Sequence, residues 1–202
     1  MRMLAVICVL LVSNLVSRAE NEILALQPYG GFTKERLEVV RKGLKEAFGF
    51  EIAVLETRSL PEAAWHAPRQ RYRAEKLLTD LDDKTPKAHR IVLGLTAKDI
   101  STTKGEHEDW GIFGLGELGG RTCVVSTFRL GARGADETKL RDRLRKVAIH
   151  EAGHVMGLDH CSTDRCVMRD AESSITTVDN ETGKFCDACV TTIQAWRASD
   201  NP

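Results

Sequence analysis

Three of the six histidines in this 202-residue chain fall within eleven consecutive positions, and their spacing constrains the local structure strongly. Residues 150–161 read HEAGHVMGLDHC. His150 and His154 are four residues apart, so on a helix their imidazoles project from successive turns of one face. Gly157 suits the end of that helix, because glycine adopts the left-handed cap conformation without strain. The chain then has room to turn back and bring His160 beside the other two.

Three imidazoles that converge on one point form a zinc-binding set with a fourth position open for water or substrate. Glu151 lies three residues before His154, near enough to the same face to act on a zinc-bound water, whose pKa the metal lowers to about 7. A surface helix with incidental histidines is the alternative, and the added glycine and third histidine argue against it. The segment predicts a catalytic zinc held by His150, His154 and His160, with Glu151 as general base.

The charge balance bears on the class of partner. Lys+Arg and Asp+Glu both number 29, so the formal net charge is zero. Nucleic-acid-binding domains usually carry a basic excess or a basic patch. We therefore expect no nucleic-acid partner, and the oligomeric state is left open.

The first nineteen residues have the layout of a secretory signal peptide. Arg2 gives a positive start, an apolar run extends from Leu4 to Val16, and Ser17–Ala19 offers small residues at the −3 and −1 positions. A short membrane anchor is the secondary interpretation, although a transmembrane helix needs about 20 apolar residues. We expect residues 1–19 to be removed, the mature chain to begin near Glu20, and the protein to be exported without stable membrane association.

Strands and helices alternate in the first half of the chain. Apolar runs at 23–26, 51–55 and 91–95 predict strands, and the last suits a strand covered on both faces. Helices are predicted from Thr33 to Gly49 and around 69–81. The second half predicts a loop at 101–109, strands at 112–115 and 121–128, and helices at 136–155 and 186–197.

The wider pattern around the histidines resembles a known family. H-E-x-x-H-x-x-G-x-x-H is the motif of the metzincin metallopeptidases. From His160 onward the chain follows H-C-x4-C-x-M-x17-C-x-x-C. With these intervals, residues 150–189 resemble the signature of the archaemetzincin family, as do VVSTFRL at 124–130 and LGLT at 93–96.

This resemblance implies a fold and an activity for residues 20–202. The fold is an α+β zincin-like one: a mixed twisted sheet with flanking helices, an active-site helix and a small irregular C-terminal subdomain. The activity is that of a zinc-dependent peptidase whose zinc-bound water is activated by Glu151. Met168 resembles the methionine of the metzincin Met-turn, an apolar floor beneath the histidines. Metzincins also pair an extended peptide with an edge strand beside the zinc, and the candidate residues here are Ile112, Phe113, Gly114 and Leu115.

The cysteines have two interpretations. The resemblance implies a second, structural zinc held by four thiolates, which are a favoured tetrahedral set. Export into an oxidising compartment favours two disulfides instead. In the first interpretation the chain holds two zinc ions, and the structural ligands are Cys161, Cys166, Cys186 and Cys189. Cys123 lies in an apolar strand and is expected to be an inert buried thiol.

Two other functions are compatible with these residues. A zinc-binding module without activity would keep both metals, although the presence of Glu151 argues against it. A zinc hydrolase of a non-peptide amide would use the same groups. Replacing Glu151 with glutamine tests the first alternative, and chelator-sensitive cleavage of a mixed peptide library tests the second.

Overall fold

The computed structural model describes residues 23–199, which form two sheets and five α-helices. The predicted signal peptide, residues 1–19, lies outside the described residues. Within 23–199, no helix combines the length and the apolar character that crossing a bilayer requires. The strands are β1 (Leu24–Pro28), β2 (Ile52–Val54), β3 (Trp65–His66), β4 (Arg71–Arg73), β5 (Ile91–Thr96), β6 (Ile100–Lys104), β7 (His107–Ile112), β8 (Gly114–Gly116) and β9 (Thr122–Ser126). The helices are α1 (Lys34–Phe48), α2 (Ala74–Lys84), α3 (Glu137–Val155), α4 (Ile175–Asn180) and α5 (Asp187–Ala198).

The larger sheet has the strand order β2-β1-β5-β9-β8. Its first four strands are parallel, and β8 runs antiparallel to β9 at the edge. The central strand β5 is buried along its whole length, as its apolar run predicts. Leu93 and Leu95 pack into the core on one face, whereas Val92 packs with Leu81 of α2 on the other. The mixed sheet with helices on both faces is the architecture that the sequence predicts.

Helices α1 and α3 pack against each other on one face of the larger sheet. Helix α1 begins where the Thr33 side chain accepts a hydrogen bond from the Arg36 N–H, and it ends at Gly49 with φ of 68°. Helix α3 begins at Asp136, whose carboxylate accepts from the Lys139 N–H at 2.8 Å. These caps satisfy backbone N–H groups that have no partner within the helix.

Two predictions for the middle of the chain are wrong. Residues 101–109, predicted as a loop, form most of the antiparallel pair β6–β7 in the smaller sheet, which has the order β3-β4-β6-β7. Most residues of this pair are partly or fully exposed, and its strands carry polar side chains and lack a hydrophobic pattern. The edge strand predicted at 112–115 is divided between the sheets. Ile112 ends β7 and pairs with Ile100, and the chain crosses at Phe113 into β8.

Candidate active site

The last two turns of α3 carry His150 and His154 side by side. Their ring centroids are 4.6 Å apart, and their Nε2 atoms are separated by 3.0 Å. The Nδ1 atom of His150 lies 2.7 Å from the Val167 carbonyl, and that of His154 lies 2.7 Å from the Leu158 carbonyl. A carbonyl only accepts, so each Nδ1 carries the proton and each Nε2 presents a lone pair to the other ring.

His160 completes the group after a turn at Gly157, where φ is 85°. Its ring centroid lies 5.4 Å from that of His150 and 4.9 Å from that of His154. One nitrogen from each ring lies within 4.8 Å of the others. The Asp170 carboxylate is 3.4 Å from His160 Nδ1 and orients this half-exposed ring.

The histidine set fits a divalent cation. Burial lowers the pKa of His150 to about 3 and also lowers the pKa of His154, and neighbouring imidazoles add to both effects. Both rings are therefore neutral at pH 7, which is the form that binds metal. Two facing Nε2 lone pairs repel each other, and a cation that accepts both lone pairs removes this repulsion. Three imidazoles that leave a fourth position open form a set that suits zinc.

Glu151 is buried beside the histidines and is held by the edge strand β8. The Gly116 N–H donates a hydrogen bond to its carboxylate. A Cβ atom on Gly114 would lie 2.6 Å from Glu151 Oε1, and one on Gly116 would lie 2.5 Å from the Glu151 carbonyl oxygen. Only glycine permits β8 to approach α3 so closely. Burial raises the pKa of Glu151 to about 8, partly offset by the Gly116 hydrogen bond, so the carboxyl exchanges a proton near neutral pH.

The four paired cysteines form a second cluster in the irregular segment after α3. Sγ of Cys161 lies 3.7 Å from that of Cys186, and Sγ of Cys166 lies 3.8 Å from that of Cys189. A disulfide needs about 2.05 Å between sulfurs. A tetrahedral zinc with bonds of about 2.3 Å separates its sulfurs by about 3.8 Å. The spacing therefore fits four thiolates around one zinc ion.

Cys123 and Met168 are both fully buried. Cys123 is fully buried in β9, and burial raises the pKa of its thiol. Met168 is fully buried under α3, and a Cβ on Gly153 would lie 2.5 Å from its Sδ atom. Gly153 directly precedes His154, so Met168 packs against the backbone that carries the histidines. The Cys161 N–H donates to the Met168 carbonyl at 2.8 Å, which ties this floor to the cysteine cluster.

A cavity of about 330 Å³ opens in front of the histidines and Glu151. One wall is β8, which is the last strand of its sheet and has a free edge. All four residues of the predicted substrate strand line this cavity, although Ile112 does so from β7: Ile112, Phe113, Gly114 and Leu115.

A model of Peptidase family M54 matches residues 27–195 of the chain. The chain belongs to this family. It is 37% identical to the archaemetzincin of Archaeoglobus fulgidus over 78% of this chain and 91% of that protein. It is 33% identical to the archaemetzincin of Methanocaldococcus jannaschii over 85% of this chain and 92% of that protein.

Solved structures agree with the sequence relationships. The archaemetzincin of Methanopyrus kandleri matches with a TM-score of 0.77 and 30% identity, over 90% of this chain and 98% of that one. The Archaeoglobus fulgidus structure matches with a TM-score of 0.71 and 35% identity, over 84% and 98%. This M54 family member is therefore a zinc metallopeptidase with the zincin-like α+β fold, which confirms the sequence prediction of family, fold and enzyme class.

Three residues at the cleft escape the sequence analysis as site residues. Gly116 holds Glu151, Asp170 contacts His160, and Glu181 lines the cavity from the end of α4. The alternation of glycines at 114 and 116 is a usable signal, because glycine at every second position of a strand leaves one face bare. The two carboxylates carry no comparable pattern.

Proposed function

We propose that this M54 peptidase hydrolyses peptide bonds, with His150, His154 and His160 as ligands of one zinc and Glu151 as the group that moves the proton. The observation that carries the proposal is the pair of Nε2 atoms 3.0 Å apart, each with its Nδ1 hydrogen bonded to a carbonyl. When bound there, zinc polarises the scissile carbonyl and makes water a stronger acid.

Glu151 has the position and the proton affinity for two transfers. It takes a proton from the attacking water and delivers it to the nitrogen of the leaving amine. Burial favours the protonated form of this carboxyl, which helps it hold the proton between the two events. The Gly116 N–H keeps the carboxylate in one orientation during this exchange.

We propose that substrate binds as an added strand along β8. The Phe113 carbonyl accepts from the Ser126 N–H at 2.8 Å, and the Glu117 N–H donates to the Thr122 carbonyl at 3.0 Å. Along a strand, the backbone N–H and C=O groups of successive residues point alternately to one neighbour and to the other. Those of Leu115 therefore also face β9, and those of Gly114 face the free edge. An extended peptide is able to pair with that edge and cross the histidine group.

N-methylation of single substrate amides tests the strand. Only every second amide of an extended peptide points toward β8. We expect methylation at alternate positions to lower kcat/KM about tenfold, in line with a loss of one main-chain hydrogen bond, while methylation of the intervening amides changes it little. An equal effect at all positions contradicts strand pairing.

We also propose that the four paired cysteines hold a structural zinc, so that each chain binds two zinc ions. Sulfur separations of 3.7 and 3.8 Å support this arrangement over disulfides. Because Cys161 directly follows His160, the same ion would fix the loop that presents the third catalytic ligand.

The N-terminal segment supports a further proposal, export with cleavage before Glu20, which mass spectrometry of secreted material checks directly.

Replacing Glu151 with glutamine tests the catalytic proposal. We expect Glu151→Gln to keep its zinc and to lose at least about a hundredfold in kcat on a mixed peptide library, since general acid–base catalysis contributes that much. Glu62→Gln is the matched control, because Glu62 is exposed and lies outside the cavity lining. Undiminished turnover of Glu151→Gln contradicts the assigned role.

The same assay separates the two rival functions. An inactive zinc-binding module would leave the library intact even with wild-type protein. A hydrolase of non-peptide amides would also leave the peptides intact, but it would show chelator-sensitive release of amine from non-peptide amides. Chelator-sensitive cleavage of the library favours the peptidase.

A further inference from the structure

Besides Glu151, the cavity is lined by a buried carboxylate that peptide hydrolysis as proposed does not use; its other acidic residues, Asp159, Asp170 and Glu172, are exposed. Glu181 follows the last residue of α4 and lines the same cavity as His150 and Glu151. It is only 6% exposed. Within residues 23–199, no donor reaches its carboxylate at hydrogen-bond distance and no cation pairs with it within 4.0 Å. A buried carboxylate without a partner is unfavourable for the folded chain.

The nearest cation, Lys146, is already engaged elsewhere. Its Nζ lies 2.8 Å from Asp142 Oδ2 and 3.2 Å from the Val178 carbonyl oxygen. Burial raises the pKa of Glu181 to about 8; Lys146 opposes this shift, and the like charge of Asp142 adds to it. The local side chains therefore do not compensate a negative charge on the Glu181 carboxyl.

Apolar side chains share the active-site cavity with Glu181, and they narrow the choice of ligand. Val147 and Val178 line this cavity as well, and both are buried. Val147 lies three residues before His150 on α3, about 4.5 Å along the helix axis. The cavity therefore suits a group that combines an apolar stem with a cationic end. Lysine and arginine have this form, an aliphatic stem with a cation at its end.

We propose that this recess binds a basic side chain, Lys or Arg, from a substrate residue next to the scissile bond, and that Glu181 recognises its charge. The proposal rests on the proposed peptidase function, because the recess opens beside His150 and Glu151. Glu181 is here a specificity residue that takes no part in proton transfer. A bound cation supplies the partner that the folded chain does not provide.

Alanine-based octapeptides, each with one Lys, Arg or norleucine, test the assignment. Norleucine keeps the aliphatic stem and lacks the charge. With wild-type protein we expect Lys or Arg on one side of the scissile bond to give at least tenfold higher kcat/KM than norleucine. Glu181→Gln should abolish that preference and leave the norleucine peptides within about threefold of wild type, while the Glu62→Gln control retains the preference.

Binding provides a readout that does not depend on turnover. Fluorescence anisotropy of the same labelled peptides with Glu151→Gln protein, with and without Glu181→Gln, should show the basic preference and its loss. If wild-type protein cleaves no peptide but this binding preference appears, the proposed peptidase function is wrong and the proposed binding of basic side chains is still supported. Equal binding of Lys and norleucine peptides overturns the proposal.

A structural role for Glu181 predicts a different pattern. On its other side Glu181 borders a small cavity lined by Arg165 and Arg169. If Glu181 serves those guanidinium groups instead, Glu181→Gln lowers kcat/KM for all octapeptides by the same factor. That uniform loss also overturns the proposal.

Discussion

Gly116 has no side chain, and this allows strand β8 to lie close enough to α3 to position the Glu151 carboxylate. Its N–H holds the Glu151 carboxylate, and a Cβ at this position would lie 2.5 Å from the Glu151 carbonyl oxygen and 2.9 Å from His154 Cβ. We expect Gly116→Ala to lower kcat/KM at least tenfold, because displacing catalytic groups by a fraction of an ångström is costly. Peptide cleavage assays measure this effect.

Gly30 is the matched control for that substitution. A Cβ there meets only the Arg58 carbonyl oxygen at 4.0 Å. Gly30→Ala should therefore leave kcat/KM within about twofold of wild type. Unchanged activity in Gly116→Ala contradicts the claim that β8 positions Glu151.

Glu181 gives the molecule a pH-dependent stability with a defined sign. Its folded pKa, about 8, lies above the value of about 4.3 expected for an unfolded chain. The folded state therefore binds the proton more tightly, and the associated stability is complete below about pH 4.3 and lost as the pH rises through 8. Glu181→Gln removes that loss, and we expect its Tm to exceed that of wild type by about 5 °C at pH 9 and by less at pH 6.

Thermal unfolding at the two pH values checks this expectation. The comparison between variants cancels the other titrations, including those of the histidines. Glu62→Gln, which changes an exposed carboxylate, should show no such difference. A Tm difference between Glu181→Gln and wild type that is the same at pH 6 and pH 9 contradicts the assigned pKa.

The site residues that the sequence predicts are those whose residue type and spacing are typical of metal ligands. His150 and His154 at a four-residue interval, together with the paired cysteines, have few alternative uses. Asp170 and Glu181 belong to a chain with 29 acidic residues, and neither has a distinguishing interval. Their roles come from tertiary burial, which a linear pattern does not show.

At the scale of elements, hydrophobic patterns predict the buried parts of the fold and miss the exposed parts. The apolar run of β5 and the capped helix α1 are confirmed. The helix predicted around 69–81 begins at Ala74, because Arg71–Arg73 pair as β4 with β6. The smaller sheet is stabilised by ion pairs such as Arg71 with Asp99 at 3.2 Å, and polar strands of this kind have no apolar alternation to detect.

The cysteine segment yields a test at the scale of an element. Chain beginning at Glu20 is purified without reductant and unfolded in chelator, and its reactive thiols are then counted. We expect five, the four paired cysteines and Cys123, because the sulfur separations fit a zinc site better than bonded pairs. A count of one identifies two disulfides and contradicts the structural zinc.

The whole molecule brings together segments that are distant in sequence. The edge strand at 114–116, the end of α3 and the loop after it surround one cavity, and α4 closes its far side. The motif predicts the family and thereby the general fold, which the family model and the solved relatives confirm. The division of the strands between two sheets comes from the crossing at Phe113, a long-range packing event that no local pattern encodes.

Zinc content tests the central claim, that three imidazoles bind one ion apart from the cysteine site. Wild type and His154→Ala, both beginning at Glu20, are dialysed without chelator and measured by mass spectrometry of the metal. We predict two zinc ions per chain in wild type and one in His154→Ala. Zinc content unchanged by His154→Ala, or wild type with no metal at the histidines, contradicts the account.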